Sequence, residues 1–292
     1  MPRTPAGLIL AEQGPPSPRR RRVVRVFVAA LVLVVAAAGW VGVRTILASL
    51  SPEACWTTSP SARVEVTPEQ AGNAATISAV AVSRGLSSRA TTIAIATALQ
   101  ESKLRNLRYG DRDSVGLFQQ RPSQGWGTVE QILDPVYASN AFYNKLVKVK
   151  DYLTRPLTEV AQEVQRSGAP AAYAQHEDEA QALAAALTGA APATLVCRLD
   201  PPSAVPAAKD LRAAITNEFG TPTAGSGGTV TVAAEGATAW ALASWAVAHA
   251  DARGVTRVEV GGRTWSRSDP QTWQSTPSGR QDTVTITLVT GL

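Results

Sequence analysis

The strongest constraint on this fold lies near the N-terminus, where an uninterrupted apolar run follows a cluster of arginines. The run, Val26–Val43, holds 18 residues, and the arginines occupy positions 19–22 and 25. As a helix the run spans roughly 27 Å, close to the ~30 Å hydrocarbon core of a bilayer. The arginines predict a cytoplasmic N-terminus and an extracytoplasmic chain beyond residue 47. The alternative is a cleaved signal peptide, but this run is longer than a usual signal core.

The net charge of +5 belongs to this N-terminal tail and not to the remainder of the chain. Residues 1–44 hold seven Arg and one Glu, a net charge of +6. The remaining residues include 21 basic and 22 acidic side chains, a net charge of −1. Because binding to phosphate backbones needs a basic surface, we expect no nucleic-acid partner.

Composition and periodicity divide the chain into segments. Thr67-Pro68-Glu69 has the pattern of a helix start, and helices are also predicted over 138–151 and 156–165. Later segments alternate apolar and polar residues, with a hairpin predicted across Gly261-Gly262. The four tryptophans of this last part are expected to form its core; the alternative is a surface that binds glycan or a partner. We predict a basic tail (1–25), a transmembrane anchor (26–47), a linker (48–60), a mainly α domain (61–199), a connecting helix and linker (200–228) and a small α+β domain (229–292).

The two cysteines, Cys55 and Cys197, bracket the predicted α domain. Both lie on the predicted outer side of the membrane, where an oxidising environment favours a disulfide. In the chain-entropy model a loop of this length contributes on the order of 5 kcal/mol. The alternative is two free thiols or a catalytic cysteine.

The residue inventory excludes several kinds of chemistry. The two histidines, His176 and His249, do not form the i, i+4 pair of a zinc helix, and His249 is expected to be a core or a surface imidazole. The chain has no G-x-S-x-G motif and no glycine-rich phosphate loop with its lysine. We therefore predict no metal site and no cofactor, which leaves carboxylate chemistry.

Glu101 is the leading carboxylate because it ends an apolar helix and precedes a glycine-bounded loop. Burial raises the pKa of a carboxyl group, so that it holds a proton near neutral pH. Protonation of a glycosidic oxygen requires such a group. The alternative is a solvated glutamate paired with Lys103 or Arg105.

Three segments carry a resemblance to a known family. They are Glu101-Ser102, then Ser114-Val115-Gly116-Leu117-Phe118-Gln119, then Ala172-Tyr173-Ala174. In this order they resemble the lytic-transglycosylase (SLT-type) branch of the lysozyme-like superfamily, in an actinobacterial membrane-anchored form. The resemblance covers about residues 65–190. Phe118 stands where the family has methionine, and Ala174 where it has asparagine.

The resemblance implies a lysozyme-like fold that cleaves MurNAc-GlcNAc bonds of peptidoglycan. Glu101 would be the general acid and then the base, Ser114 and Gln119 would orient the sugar, and Tyr173 would position Glu101. Separately, the amide of Gln120 and the ring of Trp126 are suited to sugar recognition or, alternatively, belong to a packed polar turn. Leu117 and Phe118 are expected to anchor the loop in the core.

Alternatives to the single-acid route remain open. A hydrolase needs a second carboxylate, ~5–5.5 Å away for retention or ~6.5–9.5 Å for inversion, and Asp111 and Asp113 are candidates. The alternative is that both aspartates only cap the loop. A different class of function is a non-catalytic wall-binding or cell-envelope scaffold protein. The predicted partners are glycan strands and, through the N-terminal helix, the plasma membrane; protein partners are not predicted.

Overall fold

The computed structural model describes residues 18–49, 52–57, 63–166, 170–276 and 281–291. Most of the predicted basic tail, residues 1–17, and residues 50–51 and 58–60 of the predicted linker lie outside the described residues. Helix α1 (Pro18–Ser49) contains the apolar run. Its 18-residue window Val26–Val43 has a mean hydropathy of 2.6 and is not buried. The helix is long and apolar enough to cross a membrane, a property that signal sequences share.

Residues 53–292 form a second unit, separate from the N-terminal one. Its helices are α2 (Pro68–Ser83), α3 (Ser88–Ser102), α4 (Val129–Ile132), α5 (Pro135–Leu146), α6 (Leu157–Gln165), α7 (Glu177–Leu187), α8 (Ala208–Phe219), α9 (Gly236–Ala248) and α10 (Ala250–Arg253). Two 3-10 helices, Pro122–Gln124 and Pro170–His176, interrupt the longer loops. The part between α2 and α7 is therefore mainly helical, as predicted.

Local capping signals fix the starts of the helices that lead to Glu101. Thr67 accepts a hydrogen bond from the Gln70 amide at 3.3 Å, and the Gln70 side chain accepts one from the Thr67 amide at 2.9 Å. This reciprocal capping box starts α2. Ser87 caps α3, which is buried along most of its length and packs against α7. Because α3 is fixed in the core, the position of Glu101 in its last turn is fixed as well.

A three-stranded antiparallel sheet joins the two ends of the helical part. Its strands are β1 (Ala54–Thr57), β2 (Glu65–Val66) and β3 (Leu195–Arg198), in the order β2-β1-β3. Cys55 lies opposite Cys197 in this register, and the two form a disulfide, as predicted. Strand β1 falls within the segment expected to be a linker. It pairs with nearby β2 and with β3, which lies more than 130 residues away, and the pairing with β3 leaves no local pattern.

A five-stranded antiparallel sheet forms the C-terminal part. Its strands are β4 (Thr229–Ala233), β5 (Val255–Val260), β6 (Arg263–Ser266), β7 (Asp269–Ser275) and β8 (Thr283–Leu288), in the order β4-β8-β5-β6-β7. Val260 pairs with Arg263 across Gly261-Gly262, which confirms the predicted hairpin. Helix α9 packs on β5 and β8. An α+β arrangement therefore follows the helical part, as predicted.

The helical and sheet parts share one interior. Helix α9 packs against α2, and the Trp273 indole nitrogen donates to the Leu195 carbonyl of β3 at 2.9 Å. Trp245, Trp265 and Trp273 are buried, and Trp240 packs edge-on to Trp273 with ring centroids 5.4 Å apart. These tryptophans are core residues, as expected, because their rings bury a large apolar area while the indole N–H groups of Trp245 and Trp273 find acceptors.

His249 lies at the edge of the core, where it is partly buried. Its ring lies 4.5 Å from the Trp245 ring, and its Nε2 atom is 3.4 Å from Thr76 Oγ1. Burial lowers the pKa of His249 to about 3, because the apolar surroundings disfavour the charged form.

Candidate active site

Glu101 lies in the last turn of α3, where its side chain is partly buried. The hydroxyl of Tyr173 donates to Glu101 Oε1 at 2.6 Å. Tyr173 is fully buried in the second 3-10 helix. Among the described residues no ion pair involves Glu101. The alternative of pairing with Lys103 or Arg105 is therefore not observed, and Lys103 instead ends the helix in a left-handed conformation.

The surroundings of Glu101 shift its protonation. Burial is the largest effect and raises the pKa of the carboxyl group above its ordinary value. Hydrogen bonds from Tyr173 and from the Gln165 side chain partly offset this effect, because both stabilise the charged form. The net shift is upward, so Glu101 holds its proton to a higher pH than a solvated glutamate does. A general acid needs this property.

Gln165 is a site residue that the sequence analysis missed. It is the last residue of α6, and its Nε2 atom donates to the Phe118 carbonyl at 2.7 Å. The same side chain lies near enough to the Glu101 carboxyl group to lower its pKa, so it adjoins both the acid and the glycine-bounded loop. The only signal in the sequence was a polar residue at the end of a predicted helix, far from the three family segments.

Ser102 also has a role that its position in the Glu-Ser pair did not reveal. Its Oγ atom donates to the Leu117 carbonyl at 2.7 Å and accepts from the Arg105 amide at 3.2 Å. Leu117 and Phe118 are fully buried, as expected, and the Phe118 ring stacks on Phe142 at 4.7 Å. One buried hydroxyl therefore joins the end of α3 to the loop, and two apolar side chains anchor the loop in the core.

The glycine-bounded loop is held by backbone geometry. Val115 and Gln120 exchange two backbone hydrogen bonds of 3.1 Å, which closes a tight turn. Gly116 within it has φ +80°, and a Cβ at this position would lie 2.7 Å from the Ile132 carbonyl oxygen. The Gly116 amide donates to the Leu107 carbonyl at 2.7 Å. Both the backbone angle and the close approach require glycine here.

The four other predicted substrate-binding residues have different surroundings. Ser114 is buried, and its backbone amide donates to the Asp111 carbonyl at 3.0 Å. Gln119 is partly exposed and donates within its own loop, to the Gly116 carbonyl at 3.2 Å. Gln120 is buried and donates to the Ala138 carbonyl at 3.2 Å. Trp126 is buried beneath Lys145. Gln120 and Trp126 thus have the surroundings of a packed polar turn, and their contact with substrate stays a prediction.

The two candidate second carboxylates are placed as loop residues. Asp113 accepts from the Ser123 amide at 2.8 Å and from Arg121 Nε at 2.8 Å. These bonds hold the pKa of Asp113 well below its usual range. Asp111 is exposed, and its nearest cation is Arg112 at 3.9 Å. Among the described residues, neither aspartate hydrogen-bonds Glu101. Asp113 has the role of a capping residue at the 3-10 helix that begins at Pro122.

Comparison of the chain with protein-family models returns no match, and comparison with curated protein sequences returns none either. The assignment of function therefore depends on the residues and their geometry.

Proposed function

We propose that this protein is a membrane-anchored, extracytoplasmic enzyme that cleaves MurNAc-GlcNAc bonds in peptidoglycan with Glu101 as its general acid and base. The observation that carries the proposal is the 2.6 Å hydrogen bond from buried Tyr173 to the partly buried Glu101. Burial without a cationic partner among the described residues favours the protonated acid, and the tyrosine fixes its direction. A lysozyme-like fold of the helical part belongs to the same proposal.

The proposed reaction uses Glu101 twice. The protonated carboxyl group donates its proton to the glycosidic oxygen, and the bond from that oxygen to C1 of the muramic acid breaks through an oxocarbenium-like transition state. The resulting carboxylate then takes the proton of the 6-hydroxyl group of the same sugar while that oxygen attacks C1. The product is an anhydro sugar, and Glu101 is protonated again.

The surroundings of Asp113 support this single-acid route over a lysozyme-type hydrolase. A carboxylate that accepts two hydrogen bonds from Ser123 and one from Arg121 is a weak base and a poorly available nucleophile. Asp111 is free to move but is exposed on the surface. The 6-hydroxyl group of the substrate then replaces the second carboxylate.

The cellular location follows from the N-terminal helix and the disulfide together. Retention of α1 in the membrane with its arginines inside would place residues beyond 47 outside the cytoplasm. The disulfide between Cys55 and Cys197 fits such an oxidising compartment.

One observation favours a second candidate, a non-catalytic wall-binding protein. Ala174 is exposed beside Tyr173 and offers no polar side chain where the family has an asparagine. In this alternative Glu101 would contact the glycan without transferring a proton.

Digestion of peptidoglycan tests both candidates. The full-length chain in detergent would be incubated with purified peptidoglycan, and released muropeptides would be identified by mass spectrometry. We expect anhydro products from the wild type and none from Glu101→Gln. Glu179→Gln is a matched control, because Glu179 is another partly buried helix glutamate whose pKa burial raises, and it should retain activity.

Other outcomes would revise the proposal in defined ways. Reducing-end products would indicate a hydrolase, and Asp111→Asn and Asp113→Asn would identify its second carboxylate. If the wild type instead releases no muropeptides while both it and Glu101→Gln cosediment with the wall, that result would establish the binding protein.

A further inference from the structure

A cavity with a cationic lining lies next to the candidate site. It has a volume of about 550 Å³, within the usual range of small-ligand pockets. Three basic side chains contribute to its lining, Lys145, Lys148 and Arg166. We refer to it as the cationic cavity.

The positive charge of this cavity is not neutralised by the described residues. None of its three basic side chains has an acidic partner within ion-pair distance among them. Glu163 also lines the cavity, but it bonds to Arg155 at 2.8 Å. Burial and the nearby charge of Arg166 lower the pKa of Lys145, as expected where like charges meet. A bound anion would relieve this repulsion.

The cavity is connected to Glu101 through one side chain. Gln165 lines the cavity, lies near enough to the Glu101 carboxyl group to lower its pKa, and donates to the Phe118 carbonyl of the adjacent loop. Lys145 Nζ, also in the lining, lies 3.1 Å from the centroid of the Trp126 ring, a cation–π contact. Val149 and Val164 add apolar surface. An anion held here would therefore lie beside the loop that adjoins Glu101.

We propose that the cationic cavity binds the carboxylate groups of the peptide stems that peptidoglycan carries, and so makes the site selective for stem-bearing glycan. This inference rests on the proposed function and names its substrate class. The stem supplies carboxylates at a distance from the sugar ring, and these suit three cations that have no acidic partner among the described residues. A MurNAc without its stem has a carboxylate only on the lactyl group, next to the ring. The aliphatic lining suits small apolar side chains of such a peptide.

A binding experiment tests the inference separately from turnover. Full-length Glu101→Gln in detergent would be titrated with solubilised glycan strands that bear stem peptides and with strands stripped of them by an amidase. Because the amidase leaves one lactyl carboxylate on each stripped MurNAc, the comparison tests carboxylates of the stem against a carboxylate at the sugar ring. We expect the stem-bearing strands to bind about tenfold more tightly, and the preference to fall as salt is raised. Adding Lys148→Gln and Arg166→Gln should abolish the preference. Both side chains are exposed, so the fold should be retained.

The matched control removes the same charge elsewhere. Lys150→Gln with Lys209→Gln changes two exposed lysines outside the cavity lining, and the preference should persist. Equal binding of both strand types, or a preference that survives loss of Lys148 and Arg166, would overturn the inference. The inference would also be overturned if the double variant no longer bound anionic lipid vesicles but kept its strand preference, because the cavity would then bind the membrane.

The two proposals fail in distinguishable ways. If the wild type releases no muropeptides but the strand preference depends on Lys148 and Arg166, the cavity stands and the enzyme proposal fails. If anhydro products appear from stem-bearing and stripped strands at equal rates, the enzyme proposal stands and the cavity inference fails.

Discussion

Tyr173 donates a 2.6 Å hydrogen bond to Glu101 across a separation of 72 residues. Glu101 ends a helix that the core immobilises, and Tyr173 is buried in a 3-10 helix that packs against the same helix. The direction of the carboxyl group is therefore set by two independently anchored elements. Gln165, from a third element, also contacts the carboxyl group and holds the adjacent loop.

Tyr173→Phe should weaken catalysis and shift its pH dependence. Removal of a hydroxyl that stabilises the carboxylate raises the pKa of Glu101 further, so the alkaline limb of the rate profile should move to higher pH. A hydrogen bond to a charged group is worth about 1.5–3 kcal/mol, so kcat should fall roughly tenfold or more. Steady-state rates against pH would measure this. Tyr152→Phe is the control, and an unshifted alkaline limb in Tyr173→Phe would contradict the assigned role.

Glu101→Gln should stabilise the fold at neutral pH while it abolishes activity. Since burial raises the folded-state pKa above the unfolded value, the folded protein binds more protons between the two values, and its stability falls as pH rises through the folded pKa. Because glutamine does not ionise, the variant does not lose stability in this way as pH rises. The variant should have a higher Tm than the wild type at pH 7, and the gain should vanish below pH ~4.

The measurement is thermal unfolding of the full-length chain at both pH values. Glu130→Gln changes an exposed glutamate and serves as the control. A gain for Glu101→Gln that is the same at both pH values would show that ionisation is not its source.

Gly116→Ala should disrupt the loop beside the acid. Alanine would have to adopt φ +80° and place its Cβ atom 2.7 Å from the Ile132 carbonyl oxygen. The strained backbone angle alone costs about 1–3 kcal/mol, and the contact adds to this, so both stability and activity should fall. Gly85→Ala is the matched control, because Gly85 has φ +65° with open space around it. Equal losses in chemical denaturation for the two variants would show that the contact with Ile132 is unimportant.

His249→Gln should reduce the loss of folding stability that accompanies a fall in pH below 6.5. The folded-state pKa of about 3 lies below the unfolded value of 6.5, so the contribution of His249 is fully present above pH 6.5 and is lost as pH falls toward 3. The variant should lose stability at pH 7, where packing on Trp245 is removed, and show a smaller decline from pH 6.5 to 4. Glu218 lies nearby with a pKa that burial raises, which acts in the opposite direction.

Denaturant unfolding of the wild type and the variant at several pH values would give the two slopes. Because the Glu218 contribution is present in both proteins, it cancels in the difference. Parallel profiles would show that His249 titrates normally in the folded state.

The sequence by itself determined the features whose signals are local. The apolar run of α1, the capping box at Thr67, the cap of α3 and the hairpin at Gly261-Gly262 each depend on residues a few positions apart. The bounds of helices were predicted less well: the helix predicted over 138–151 is observed as Pro135–Leu146. It begins earlier than predicted because Asp134 caps it and Pro135 occupies its first turn. The disulfide was predictable because the chain has only two cysteines.

Only the tertiary structure decided which distant groups surround the carboxyl group. Strand β1 pairs with residues 195–198 as well as with nearby β2, and α9 of the sheet part packs against α2. Neither of these long-range contacts leaves a local pattern. Gln165 lies beside Glu101 because α6 ends next to the loop, and Asp113 accepts hydrogen bonds from Ser123 and Arg121. A sequence can indicate which residue carries a proton, but burial and partners set its pKa, and both arise from packing between segments far apart in the chain.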